Sequence, residues 1–262
     1  MSRIEEAFKR KNTLITFVTG GDPDVETTKK LVLEMVRAGA GLIEIGIPFS
    51  DPIAEGPVIS AANERALANG CTTDDLFEMV KELRNVTQIP IVFLTYINPI
   101  YTYGKDKFFS RCKECMVDGV IVPDLPYEEK EEISSYCEKY GVDRIVLVAP
   151  TSKERISMIA KDAKGYVYCV SSMGVTGMRC SLNSNISEVV DTIKNVTSTP
   201  CAIGFGISNP EQAKAMSDIS DGAIIGSAIV KIVEQYGKES PEKVYDFVKE
   251  ITDYSTDFVE MK

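Results

Sequence analysis

Residues 13–47 read TLITFVTGGDPDVETTKKLVLEMVRAGAGLIEIGI, and this stretch decides the fold. Its ends, Thr13–Thr19 and Leu42–Ile47, are short runs rich in β-branched residues, of strand length and composition. Between them Leu31, Leu33, Met35 and Val36 form an apolar stripe at helical spacing, closed by Gly39 or Gly41. Strand, helix, strand in that order is a βαβ unit, and such units build parallel sheets. Further strand-like runs at Pro90–Tyr96, Gly119–Pro123, Arg144–Ala149, Tyr166–Ser171, Pro200–Gly204 and Gly222–Ile225 bring the total to eight. Helical patterns such as that of Phe77, Val80 and Leu83 separate them. Eight units in 262 residues predict an α/β fold closed as a (β/α)8 TIM barrel, rather than an open doubly wound sheet. Three additions are expected: a helix before strand one (Ile4–Lys11), a helix inserted after strand two (Val58–Asn69) and a last helix (Pro241–Tyr254). No linker or low-complexity tract interrupts the chain, so residues 1–262 are read as one barrel domain.

Composition narrows the chemistry. With 44% hydrophobic and 26% charged residues the chain can fill a core, and no apolar run approaches the ~18 residues of a membrane span, so the cytoplasm is expected. There is no histidine, which rules out His-based triads, His-ligated metals and imidazole shuttles, and leaves proton transfer to Asp, Glu, Tyr, Lys or Cys. A formal net charge of −10 without a Lys/Arg stripe argues against nucleic acid. Seven cysteines form an odd set without disulfide-framework spacing. The one CxxC, Cys112 to Cys115, falls in a helical pattern from Lys105 to Val117 and has no second pair, so it reads as helix-face cysteines and no metal is expected.

Barrel active sites lie at the C-terminal ends of strands and in the loops that follow. Strand two ends there in Glu44-Ile-Gly-Ile-Pro-Phe-Ser-Asp-Pro-Ile-Ala-Glu55-Gly56. The two-residue period puts Leu42, Glu44 and Gly46 on one face and Ile43, Ile45 and Ile47 on the other, so Glu44 faces an interior. Burial disfavours the ionised carboxylate and raises its pKa, enough to hold a proton near neutrality. The competing reading is a buried structural ion pair with Lys or Arg. Glu55 supplies a second carboxylate in the following loop, and Asp124 lies after strand four. Loops stripped of side chains follow strands seven (Gly204-Phe-Gly206-Ile-Ser208) and eight (Gly226-Ser227), the usual position of a barrel phosphate site built from backbone N–H groups. Such a site needs no Lys or Arg and so suits an acidic chain. The long Ser/Gly stretch after strand six, with Gly174, Thr176 and Gly177, reads as a lid.

Together these stretches, with Phe17-Val-Thr-Gly-Gly-Asp22-Pro23, Tyr96-Ile-Asn98-Pro99 and Val122-Pro-Asp124-Leu-Pro126, closely resemble the tryptophan synthase alpha chain across nearly the whole sequence. The resemblance implies a lyase that cleaves indole-3-glycerol phosphate to indole and glyceraldehyde 3-phosphate in tryptophan biosynthesis, without a cofactor of its own. It implies Glu44 as the acid/base at indole C3 and the glycerol hydroxyl, and Glu55 as the carboxylate facing indole N1. Phe17, Leu94, Tyr96 and Tyr168 would wall the indole pocket. Gly177, Gly206, Gly226 and Ser227 would bind the phosphate, with Thr176 bonding the loop-two carboxylate on lid closure. A pyridoxal-phosphate beta chain would be the partner in a heterotetramer, with Asp51, Pro52, Asn98 and Pro99 at the interface. The chain departs from the family pattern at Glu55, where Asp is usual, and at Ser60, where Gln is usual. A docking subunit with weak chemistry of its own, or a stand-alone lyase, are the alternatives this leaves open.

Overall fold

The computed structural model describes residues 1–170, 179–204 and 206–257. Strands β1 (Thr13–Thr19), β2 (Leu42–Gly46), β3 (Ile91–Leu94), β4 (Gly119–Ile121), β5 (Asp143–Val148), β6 (Val167–Val170), β7 (Cys201–Gly204) and β8 (Gly222–Ile225) pair in parallel in chain order and close on themselves. The closing seam sets Ile15 of β1 beside Ile224 of β8. The helices are α1 (Arg3–Ala7), α2 (Val25–Arg37), α3 (Pro57–Ala68), α4 (Thr73–Leu83), α5 (Ile97–Tyr103), α6 (Lys105–Glu114), α7 (Glu131–Tyr140), α8 (Lys153–Lys161), α9 (Arg179–Lys194), α10 (Pro210–Ile219), α11 (Ser227–Tyr236) and α12 (Ser240–Asp257). None of the described helices is long and apolar enough to cross a membrane.

Alternation along the strands makes two cores. Ile43 and Ile45 of β2 and Val146 and Val148 of β5 face the helices, whereas Ile15, Leu42, Val92, Ile121, Ile145, Tyr166, Ala202 and Ile224 fill the barrel interior. Helix α1 plugs the N-terminal end of that interior with buried Ile4, and Phe8 packs its ring 5.7 Å from that of Tyr166. Helix α3 lies on β1 and α11, and α12 on α2, α10 and α11.

Most element bounds shift by one to three residues from the sequence reading, and three of the differences have a visible cause. Helix α1 stops at Ala7, not Lys11, because Asn12 takes a left-handed φ of 60° and Thr13 turns back to bond the Ala7 and Arg10 carbonyls. Pro90 and Pro200 stand just before their strands, offering carbonyls to Ile43 and Val167 without donors of their own. Asn98 and Pro99, expected in a loop, lie in the first turn of α5, where the Asp124 carboxylate accepts from the Ile97 N–H at 3.0 Å. Cys112 and Cys115 are buried in the helix-facing core, as the CxxC reading expects.

Candidate active site

Glu44 sits on the inner face of β2, in register with Phe17 of β1 and Val92 of β3, above the apolar plug of the barrel. Only 1% of it is exposed. Burial pushes its carboxyl up to about 7, and the one bond that opposes this is donated by the buried Tyr166 hydroxyl to Glu44 Oε1. No Lys or Arg pairs with it among the described residues, where the structural ion-pair reading finds no support. The tyrosine escaped the sequence reading although its signal was present: Tyr166, just before β6, and Tyr168 within it alternate onto the inner face, and both burial and the Glu44 charge hold the Tyr168 hydroxyl neutral.

Glu55 arrives from the β2–α3 loop. Its Oε2 accepts a 2.6 Å bond from Asn63 Nδ2, and Asn63 is itself buried on α3, two turns on, with Ala62 and Ala66. Burial raises the Glu55 pKa, while hydrogen bonds from Asn63 and Tyr96 pull it back. Tyr96 does not line the cavity. It lies under the loop, where its hydroxyl accepts from the Ala54 N–H at 3.1 Å, so it supports Glu55 from behind.

Glu44 and Glu55 face one cavity of about 220 Å³ whose walls include Phe17, Leu94, Tyr168, Val58 and Ile59. Gly206, Ile207, Gly226 and Ser227 also line it. Gly206 has a φ of +72°, open to glycine without strain. Among the described residues no side chain caps Gly226 before α11, which leaves the first N–H groups of this ten-residue helix available to an anion. The glycines are also demanded by packing: a Cβ on Gly46 would stand 2.8 Å from Phe17 Cζ, and one on Gly226 3.3 Å from Phe17 Cδ1. Below the loops, Arg65 of α3 forks onto the buried Asp22 carboxylate at 2.9 and 2.8 Å and reaches Glu234 of α11 at 3.2 Å, tying the β1 loop, α3 and α11 together.

Thr176 and Gly177 lie outside the described residues. Asp51, Pro52, Asn98 and Pro99 stand on the rim rather than in the cavity: Asp51 and Asn98 are exposed, Pro52 and Pro99 half-buried, and Ile53 beside them is 79% exposed. Val58, Ile59, Ile207 and Asn63 were not singled out by the sequence, where they read as ordinary helix or loop residues.

A carboxyl poised near 7, a second carboxyl raised by burial and an apolar slot bordered by glycine loops suit acid/base chemistry on a phosphate ester with an apolar body. Comparison with known proteins agrees. The family model for the tryptophan synthase alpha chain matches residues 4–257. The tryptophan synthase alpha chain of Lacticaseibacillus casei is 48% identical over 251 residues, covering 96% of this chain and 94% of that one. The crystal structure of tryptophan synthase subunit alpha from Legionella pneumophila superposes with a TM-score of 0.89 at 35% identity, over 98% of this chain and 99% of that one. A structure of the tryptophan synthase a2b2 complex from Pyrococcus furiosus, described as showing mutual activation, superposes with a TM-score of 0.86 at 35% identity, over 93% and 99% of the two chains. With its barrel, its paired carboxylates and its sequence all in agreement, the chain belongs to the tryptophan synthase alpha chain family.

Proposed function

We propose that residues 1–262 form a single-domain lyase that cleaves indole-3-glycerol phosphate to indole and glyceraldehyde 3-phosphate. The observation that carries the residue assignment is Glu44, a carboxyl buried in the barrel mouth and poised at about 7. Protonated, it delivers its proton to indole C3, which leaves positive charge on the ring nitrogen. Glu55, as carboxylate, faces that N–H and stabilises the charge. The Glu44 carboxylate then takes the proton of the glycerol hydroxyl next to the ring. As that oxygen becomes the aldehyde, the carbon–carbon bond breaks and its electron pair restores the aromatic ring. Glu44 ends protonated, as it began. A pKa near the working pH serves both halves of this cycle. Phe17, Leu94 and Tyr168 sandwich the indole, and Gly206, Gly226 and Ser227 take the phosphate.

The proposed chemistry uses the chain's own acids. A beta chain is the partner we infer, since a structure similar to this chain is of an a2b2 complex, with Asp51, Pro52, Asn98 and Pro99 toward it and pyridoxal phosphate as that partner's own cofactor. The cysteines described are free thiols, which suits a cytoplasmic location. The test is indole release from indole-3-glycerol phosphate by wild type and Glu44→Gln, each with and without a tryptophan synthase beta chain. The expected result is release by the wild type, raised by the partner, and none above background by the variant, while the variant still activates the beta chain. Release by Glu44→Gln at the wild-type rate would overturn the assignment.

A further inference from the structure

The helical layer has a gap that the proposed chemistry does not use. Helix α7 packs on α6 and α8 on α9, but α7 and α8 stand apart. Between them lies a cavity of about 440 Å³ whose lining includes Arg144 of β5. Arg144 occupies a helix-facing position, in line with Val146 and Val148, which bury themselves in the core. It is half-buried, and no hydrogen bond or ion pair engages its guanidinium among the described residues. The nearby acids are largely spoken for. Asp162 takes Lys130 and the Tyr127 hydroxyl, and Glu138 takes Lys164 at 3.4 Å. The walls set Lys130, Arg144, Lys161 and Lys164 against Glu131, Glu138 and Asp162, one positive charge in excess, and Asp162 lies close enough to feel the Arg144 charge without a hydrogen bond to it. On its other side Arg144 also borders a second chamber of about 200 Å³ with apolar walls that include Val122, Ile133 and Ile159.

A guanidinium offers five N–H donors in a rigid fork that matches the oxygens of a carboxylate or phosphate, and one with no hydrogen-bond acceptor among the described residues can turn that fork to an outside oxyanion. We propose that the α7–α8 cavity is a second ligand site, which holds a small organic oxyanion with its phosphoryl or carboxylate group on Arg144. Lys161 at the rim supplies the second charge, and the chamber beyond Arg144 receives an apolar body. The site lies on the outer side of β5 and takes no part in indole release.

An anomalous scatterer locates the site directly. Crystals of the full chain soaked in sodium selenate should show a selenium peak within hydrogen-bonding reach of the Arg144 guanidinium, apart from any peak at Gly226 and Ser227. That peak should vanish in Arg144→Gln. In solution, inorganic phosphate or citrate, at matched ionic strength, should raise the Tm of the wild type more than that of Arg144→Gln. Arg144→Lys, which keeps the charge and loses the fork, should bind about ten-fold more weakly or worse. A response to phosphate alone assigns a phosphoryl ligand, and one to citrate alone a carboxylate. Indole release should be the same in wild type and Arg144→Gln. Absence of the selenium peak, or a Tm response equal in the two proteins, overturns the site.

Discussion

Glu44 is the residue on which the chemistry turns, and its environment makes two separate predictions. Its folded pKa of about 7 stands above the ordinary 4.5, so the folded chain keeps a proton that the unfolded chain gives up. The stability tied to that proton is fully present below pH 4.5 and is lost as pH rises through 7. Glu44→Gln removes the dependence. Urea denaturation should therefore find the variant similar to wild type under acid conditions and more stable above neutrality, by up to about 3 kcal/mol. Equal stabilities at every pH would show that the carboxyl is not desolvated. The second prediction concerns Tyr166, whose hydroxyl donates to Glu44 and draws its pKa down. In Tyr166→Phe that pull is gone, so the alkaline limb of kcat/KM, which reports loss of the Glu44 proton, should move to higher pH. A limb that stays in place would remove Tyr166 from any role in setting the acid.

At the scale of elements, strands read more faithfully than the segments between them. β1 and β8 match their expected bounds because their flanks, Asn12 and the Gly20–Gly21 pair in one case and Asp221 and Gly226 in the other, leave the chain no way to extend. β3 was read too long because Thr95 and Tyr96 keep strand composition while the chain already turns into α5, whose first N–H is held by Asp124, a partner 27 residues away. No local pattern encodes that cap. The same holds for the site. Glu44 was legible from strand alternation, but the support of Glu55 by Asn63 and Tyr96 depends on how α3 and β3 dock, which a linear reading does not contain. Gly46 was legible as part of a motif, though its reason is tertiary. It leaves room for the Phe17 ring, which is also confined by Gly226 on its other side. In Gly46→Ala the ring cannot retreat and must tip into the cavity. Overpacking of this kind costs about 1–3 kcal/mol, and KM for indole-3-glycerol phosphate should rise more than kcat falls. Adding Phe17→Leu should recover part of the lost stability. An unchanged KM in the single variant would show that the ring has space to spare.

For the whole molecule, closure of the barrel rests on its N-terminal end as much as on the site at the other. Two aspartates recur there in equivalent sequence, Asp118-Gly119 before β4 and Asp221-Gly222 before β8, half a barrel apart. Each carboxylate accepts from the first N–H of the preceding strand, Asp118 from Ile91 at 2.8 Å and Asp221 from Cys201 at 2.9 Å, and so pins adjacent strands at their starts. The glycines that follow are required by the same geometry, since a Cβ on Gly119 would stand 2.9 Å from the Asp143 carbonyl. The two pins differ in what holds them. Asp118 is clamped by Arg84 at 2.9 Å and Arg3 at 2.7 Å, and the Arg84 side chain is only 2% exposed, whereas Asp221 pairs with Lys194 at 3.1 Å in the open. Removing Asp118 therefore strands a buried guanidinium, and removing Asp221 frees a solvated ammonium. Asp118→Ala should cost about 3–5 kcal/mol, and Asp221→Ala only about 1–2 kcal/mol from the lost strand bond. Denaturant titration of the two variants measures the difference. Equal losses would mean that the strand bond, common to both, dominates, and that the buried Arg84 finds other acceptors in the Met116 and Ile89 carbonyls it already touches.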